Sequence, residues 1–94
     1  MKRINLEFDK ATTRLAGNPY GKTEFQNQVK SLINYDDVNV IAFPAQIEKV
    51  ASSFTQGFFS EVIEKVGYIG FDKVVKIEAK DEKLAKTIHS DLFA

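Results

Sequence analysis

The stretch VNVIAFP, residues 38–44, decides which fold the sequence predicts. The first six of these residues are almost all apolar, and Val38, Val40 and Ile41 are β-branched. A continuous apolar run of this kind favours a central strand whose two faces are both covered by other parts of the chain. Pro44 ends the strand, because proline has no backbone N–H to donate to a neighbouring strand.

A helix is predicted on each side of this strand. Residues 22–34 carry apolar side chains at positions i, i+4, i+7 and i+8. In residues 53–66, an apolar side chain recurs every four positions. Both spacings are typical of helices with one buried face. Either Gly21 or Thr23 can begin the first helix, and Gly67 is placed to end the second. The apolar faces comprise Phe25, Val29, Leu32 and Ile33 in the first helix and Phe54, Phe58, Phe59, Val62, Ile63 and Val66 in the second.

Two further strands and a third helix are predicted outside this central unit. Residues 1–8 alternate between apolar and polar side chains, as in a half-buried strand, and residues 74–79 form another strand. Asp81 is expected to cap a last helix. The core face of this helix comprises Leu84, Ala85, Ile88 and Leu92.

The polar segment 9–20 is predicted to be a loop that closes with the Gly-Asn-Pro turn of residues 17–19. The pattern leaves open whether part of it forms a short strand. An edge strand contributed by this loop to the sheet would offer a surface for a homodimer.

The order of these elements predicts a small, layered α/β fold. Strands that alternate with helices favour parallel pairs joined by right-handed crossovers. We therefore expect residues 1–94 to form a single domain with a mostly parallel or mixed sheet of three to four strands and three helices. Binding sites in such sheets lie at the carboxyl ends of the strands. The loop over residues 44–53 leaves that end of the central strand and is therefore the first place to look for a functional site.

Composition argues against several classes of function. Thirteen basic and thirteen acidic residues cancel to a net charge of zero, so no basic excess favours nucleic acid as the main partner. The absence of cysteine excludes disulfides and thiolate metal sites. The start MKRINLEF lacks the apolar stretch of a signal peptide, and no apolar run is long enough to span a membrane. These features predict a soluble, cytoplasmic domain that does not engage a membrane.

The pair Ser52 and Ser53 stands where a polar segment passes into the apolar second helix. A serine in this position is typical of a helix N-cap, whose hydroxyl accepts a hydrogen bond from an N–H of the first turn. A second interpretation adds to the first. A phosphate on either serine would meet the free N–H groups and the positive end of the helix dipole. The sequence predicts the cap and leaves a phosphorylation switch open.

The segment VASSFTQGFFSEVIEKVG, residues 50–67, is similar to the STAS-like domain family of unknown function DUF4325. More distantly, it resembles the STAS domains of anti-sigma-factor antagonists. The motif GNPYGKTEFQNQV, residues 17–29, extends the resemblance, which covers residues 8–66. The resemblance implies a STAS-like fold and a non-enzymatic regulatory module. Its implied partner is a protein, such as an anti-sigma ATPase of the histidine-kinase type.

The resemblance also assigns roles to the serine pair. Ser52 matches the serine that the kinase phosphorylates in the antagonists, and Ser53 matches its neighbour. Ala51 and Phe54 stand where the antagonists have Asp and Gly. These departures remove a negative charge and add bulk beside Ser52, so they bear on phosphorylation more than on docking.

The motif GNPYGKT, residues 17–23, ends like a phosphate-binding P-loop but lacks its spacing, since Ala16 occupies the position of the first glycine. We expect this loop to contact a protein partner instead, because loops commonly carry recognition. The predicted partner-binding residues are Arg14, Tyr20, Lys22, Ser52, Ser53 and Phe54.

The sequence predicts neither a catalytic set nor a site for a metal or cofactor. His89 is the only histidine, so it lacks the partners of a catalytic triad or a metal cluster. An enzyme is therefore the last of three hypotheses. The alternative to a regulatory module is a small inhibitor or accessory protein of a mobile genetic element, which would bind a host enzyme or nucleic-acid machine. Small size and neutral charge allow this alternative.

Overall fold

The computed structural model describes residues 1–93 and contains two sheets and three helices over that range. The strands are β1 (Lys2–Asn5), β2 (Arg14–Leu15), β3 (Asn39–Ala42), β4 (Lys49–Val50) and β5 (Val75–Glu78), and the helices are α1 (Asn18–Gln28), α2 (Ser52–Val74) and α3 (Glu82–Leu92). The main sheet has the order β1-β3-β5, and β2 and β4 form a separate pair. All of these pairs are parallel, which confirms the predicted α/β class.

Strand β3 is the central strand, as predicted. All four of its residues are buried, and it lies between β1 and β5. One face of the sheet packs on the helices and forms the hydrophobic core. Each strand and helix contributes to this core, for example through Ile4, Leu15, Phe25, Ile41, Val50, Phe58, Val75 and Ile88.

Polar side chains, rather than a helix, cover the second face of the main sheet. Arg3 on β1 forms a salt bridge with Glu78 on β5, including an Nη1 to Oε2 hydrogen bond of 3.0 Å. The pair spans β3 beside Val40 and Ala42, which are only 7% and 6% exposed. The hydrogen bonds from Arg3 lower the pKa of the Glu78 carboxyl. The prediction that chain elements cover both faces of β3 is therefore correct for one face only.

Helix α1 begins at Asn18, earlier than the predicted residues 22–34. Gly17 precedes it with a φ of 103°, a conformation that favours glycine. Pro19 suits the first turn, because the missing N–H of proline needs no partner there. The interpretation of residues 17–19 as a turn that closes a loop is therefore wrong.

Helix α1 also ends earlier than predicted, at Gln28. The N–H groups of Val29 and Lys30 both donate to the Phe25 carbonyl, which closes the last turn. Phe25 and Val29 are buried as predicted, whereas Leu32 is 46% exposed. The chain has left the helix before Leu32, so the helical spacing no longer places this side chain in the core.

Helix α2 contains the predicted break at Gly67, where φ is 74° and ψ is 173°. The chain then resumes a helical path to Val74, although the sequence predicts that the helix ends at Gly67. Phe71 and Val74 are buried, so core packing stabilises this second segment. Strand β5 consequently begins at Val75 rather than at residue 74.

The remaining elements are close to the prediction. Ile4 and Leu6 are buried and Phe8 is partly buried, as the alternation in residues 1–8 requires. Asp81 caps α3, since its side chain accepts a hydrogen bond of 2.8 Å from the Leu84 N–H. The segment 9–20 does contain a short strand, β2, but this strand pairs with β4 and does not form an edge of the main sheet. The prediction that this segment supplies an edge of the main sheet is therefore wrong.

Candidate functional site

Helices α1 and α2 start side by side because two paired strands lead into them. Leu15 on β2 lies opposite Val50 on β4, and the Ala51 N–H donates to the Leu15 carbonyl at 2.8 Å. Helix α1 then begins at Asn18, and α2 begins at Ser52. The N-terminal ends of both helices therefore meet at the carboxyl end of the small sheet, where α/β proteins usually bind their ligands.

Two glycines let the backbones of α1 and α2 touch close to these ends. A Cβ atom on Gly21 would lie 2.3 Å from the Phe54 carbonyl oxygen, and one on Gly57 would lie 2.1 Å from the Asn18 carbonyl oxygen. Real Cβ atoms do not approach backbone atoms so closely. Gly21 and Gly57 therefore fix the distance between the two helix starts.

The serine pair does not cap α2, so this prediction is wrong. Ala51 is the N-cap residue in an extended conformation, and no side chain caps this end of the helix. Strand β4 brings the chain to Ala51 in extended form, so Ser52 and Ser53 already lie inside the first turn. The Ser53 hydroxyl instead accepts a hydrogen bond of 3.1 Å from the Gly17 N–H. This bond joins the start of α2 to the start of α1.

Five of the six predicted partner-binding residues lie at the surface around the two helix starts. They are Arg14, Tyr20, Lys22, Ser52 and Ser53, and we call them the helix-start surface. Tyr20 is 39% exposed. Partial burial, and to a lesser degree the nearby Glu24 carboxylate, raise the pKa of the Tyr20 phenol.

Phe54, the sixth predicted residue, is fully buried and cannot contact a partner directly. Its ring stacks on Phe58 with a centroid distance of 5.5 Å and meets the Tyr20 ring edge-on at 5.4 Å. Phe54 therefore packs against Tyr20 from the core side. The helical spacing that predicts a core position for Phe54 is correct, and its assignment to the partner surface is wrong.

Lys49 is a surface residue that the sequence interpretation missed. It is exposed on β4 and lies opposite Arg14 on β2. Lys22 adds a third exposed cation on α1. The first N–H groups of a helix carry partial positive charge as well. Three exposed cations therefore lie around the two helix starts, together with the Glu24 carboxylate near Tyr20, although the chain as a whole is neutral. A two-residue strand gives too short a pattern to be predicted, which explains why Lys49 was overlooked.

The structure does not bring the other polar motifs into a site. Lys22 and Thr23 of the Gly-Lys-Thr sequence lie within α1, and Gly21 is buried against α2, so the motif cannot wrap a phosphate as a P-loop does. His89 Nε2 lies 2.7 Å from Asp72 Oδ1 in an exposed pair. Among residues 1–93, no group of three or more acidic or histidine side chains is arranged to hold a metal ion.

Comparison of the chain with protein-family models, with curated proteins and with solved structures gives no significant match. No helix within residues 1–93 has both the length and the apolar character needed to cross a membrane.

Substitution of Ser53 with alanine is expected to reduce the free energy of unfolding by about 1 kcal/mol, because the Gly17 N–H loses its acceptor. The matched Ser52→Ala change should cost less than about 0.5 kcal/mol, because Ser52 is exposed and its hydroxyl makes no hydrogen bond within the described residues. Urea denaturation of the two variants measures the difference. Equal effects would contradict the proposed tie between the helix starts.

Proposed function

We propose that this chain is a non-enzymatic, cytoplasmic, STAS-like regulatory domain that docks a protein partner through the helix-start surface. The observation that carries the proposal is the convergence of the two helix N-termini at the carboxyl end of the small sheet. Exposed polar side chains and one half-exposed aromatic ring surround this point. Aromatic and arginine side chains are the residues that most often carry the binding energy of a protein interface.

The charge of the surface indicates the chemistry of the partner. Arg14, Lys22 and Lys49 favour an acidic patch on the bound protein, since complementary charge increases the rate and specificity of association. The resemblance to anti-sigma-factor antagonists favours an ATPase of the histidine-kinase type as that protein. Docking needs no cofactor and no reaction by this chain.

Ser52 offers a way to switch the docking off. Its side chain is exposed in the first turn of α2, where the free N–H groups of the helix can stabilise a phosphate. A phosphate would add nearly two negative charges to a surface that otherwise attracts acidic groups. Phosphorylation of Ser52 would therefore leave the fold intact and weaken the binding of an acidic partner.

Substitution of Ser52 with aspartate imitates part of this charge. We expect Ser52→Asp to weaken binding to the anti-sigma-type ATPase from the same genome by at least about tenfold, which corresponds to about 1.4 kcal/mol. Ser52→Ala should bind like the wild type. The matched control is Ser90→Asp, which places the same charge on an exposed position of α3. Isothermal titration calorimetry measures all four affinities.

Two results would count against different parts of this proposal. If Ser52→Asp and Ser90→Asp bind as tightly as the wild type, the charge switch is wrong and docking remains. If the wild type does not bind the ATPase, while the phosphate on Ser52 is also absent from protein purified from its host, the regulatory assignment itself is wrong.

A further inference from the structure

Strand β1 is an edge strand with free backbone groups along its outer side. The Lys2 N–H donates to the Val38 carbonyl at 2.8 Å, and the Leu6 N–H donates to the Ala42 carbonyl at 2.9 Å. Residues 2, 4 and 6 therefore direct their N–H and C=O groups toward β3. Because the direction alternates along a strand, Arg3 and Asn5 direct theirs away from the sheet. The side chains of residues 2, 3 and 5 are exposed, so these outer groups face open space.

The rest of this edge is already closed. The Gln28 side chain accepts a hydrogen bond of 2.7 Å from the Glu7 N–H and donates one of 2.8 Å to the Glu7 carbonyl. The Gln28 side chain on α1 thus pairs with the backbone groups of Glu7, the next outward-facing residue after Asn5. At the other edge of the sheet, α3 packs beside β5. Within β1, the open backbone groups are therefore those of Arg3 and Asn5.

We propose that this open edge pairs with the β1 strand of a second copy of the chain, in an antiparallel arrangement centred on Ile4. Arg3 of each copy then lies opposite Asn5 of the other, and the two pairs exchange four backbone hydrogen bonds. The two sheets join into one six-stranded sheet. A two-fold axis relates the copies, which is the commonest symmetry of homodimers.

The charges and the closed part of the edge select this register over its neighbours. A shift by two residues in one direction would place Arg3 opposite Arg3, and like charges directly opposite each other are destabilising. A shift in the other direction would place Arg3 opposite Glu7, whose backbone groups are held by Gln28. In the proposed register, the four intermolecular hydrogen bonds use only free groups, and Arg3 lies opposite a neutral amide. Met1 lies opposite Glu7 but forms no bond there, because its amino group is held 3.0 Å from Asp37 Oδ2.

An Asn5→Pro substitution tests the proposal without removing a hydrogen bond of the sheet, because the Asn5 N–H faces outward. Proline is tolerated on an edge strand for this reason. The substitution removes two of the four intermolecular bonds, so we expect the dimer dissociation constant to rise by about thirtyfold. The matched control is Asn5→Ala, which loses the same Arg3 to Asn5 side-chain bond but keeps the N–H. Sedimentation equilibrium from micromolar to millimolar concentration measures both.

A second measurement applies to the unaltered chain, in case the proline variant folds poorly. Amide hydrogen exchange at Arg3 and Asn5 should slow as the protein concentration rises, while exchange at Glu7 should stay constant. A wild type that remains monomeric at millimolar concentration would overturn the proposal. A folded Asn5→Pro variant that dimerises like Asn5→Ala would overturn it as well.

Discussion

Gly57→Ala is expected to lower the free energy of unfolding by about 3 kcal/mol or more. The new methyl group would lie 2.1 Å from the Asn18 carbonyl oxygen and 2.8 Å from its carbonyl carbon, so the two helix backbones would have to move apart. Overpacking against backbone costs more than overpacking against a flexible side chain. Alanine gains about 1 kcal/mol over glycine in helix propensity, which does not offset this cost.

Urea denaturation of Gly57→Ala measures the effect, and Gly21→Ala should behave in the same way. The control is Gly70→Ala, also in α2, where the new methyl group would meet only the Val66 side chain, at 3.0 Å. That change should stay within about 1 kcal/mol of the wild type, because Val66 has to move by only a few tenths of an ångström and the helix propensity improves. Equal stability of Gly57→Ala and Gly70→Ala would contradict the close contact between α1 and α2.

Asn39→Asp is expected to lower the free energy of unfolding by a similar amount, for an electrostatic reason. Asn39 is fully buried at the start of the central strand. Its amide nitrogen lies within 3.0 Å of the carbonyl oxygens of Asn34, Asp37 and Val74, and its oxygen accepts a hydrogen bond from the Asn34 N–H. Aspartate has the same shape but would direct a carboxylate oxygen at these carbonyls. Leaving buried polar groups unpaired beside a new charge costs about 3 kcal/mol or more.

The stability difference between Asn39→Asp and the wild type should depend on pH. Burial raises the pKa of the introduced carboxyl in the folded state, so the loss is smallest below its unfolded value of about 3.9 and grows as the pH rises from that value through the raised folded-state pKa. Asn34→Asp is the control, because the exposed Asn34 side chain only accepts a bond from the Asp36 N–H, as a carboxylate can. A small, pH-independent loss for Asn39→Asp would contradict the assigned hydrogen bonds.

The sequence predicts the elements of this fold that have long, regular patterns. The apolar run of β3 correctly predicts a strand, and the spacing of four from Phe54 to Val66 correctly predicts a helix. Both patterns arise directly from which side chains are buried. The capping of α3 by Asp81 follows from a local rule that no tertiary contact overrides here. Strands β2 and β4 have two residues each, so they carry no period that a pattern can detect.

The candidate site is harder to predict because it depends on contacts between distant segments. Serine is a residue type that commonly caps helices, so the sequence predicts a cap at Ser53. Strand β4 shifts the start of α2, and the Ser53 hydroxyl bonds to the Gly17 N–H instead. Nothing in the sequence indicates that Gly21 and Gly57 lie at the contact between α1 and α2. Polar Asn39 stands in an otherwise apolar run, and its role becomes clear only when the loop after α1 and the end of α2 are seen around it.

Binding of a protein partner at the helix-start surface can be tested directly. The most direct test is an NMR titration of the isotope-labelled chain with the anti-sigma-type ATPase from its own genome. The shifted amide signals should cluster at residues 14–22 and 49–54, and Ser52→Asp should make these shifts smaller at the same ATPase concentration. Shifts centred on α3 or on strand β1, with none at the helix starts, would contradict binding at this surface.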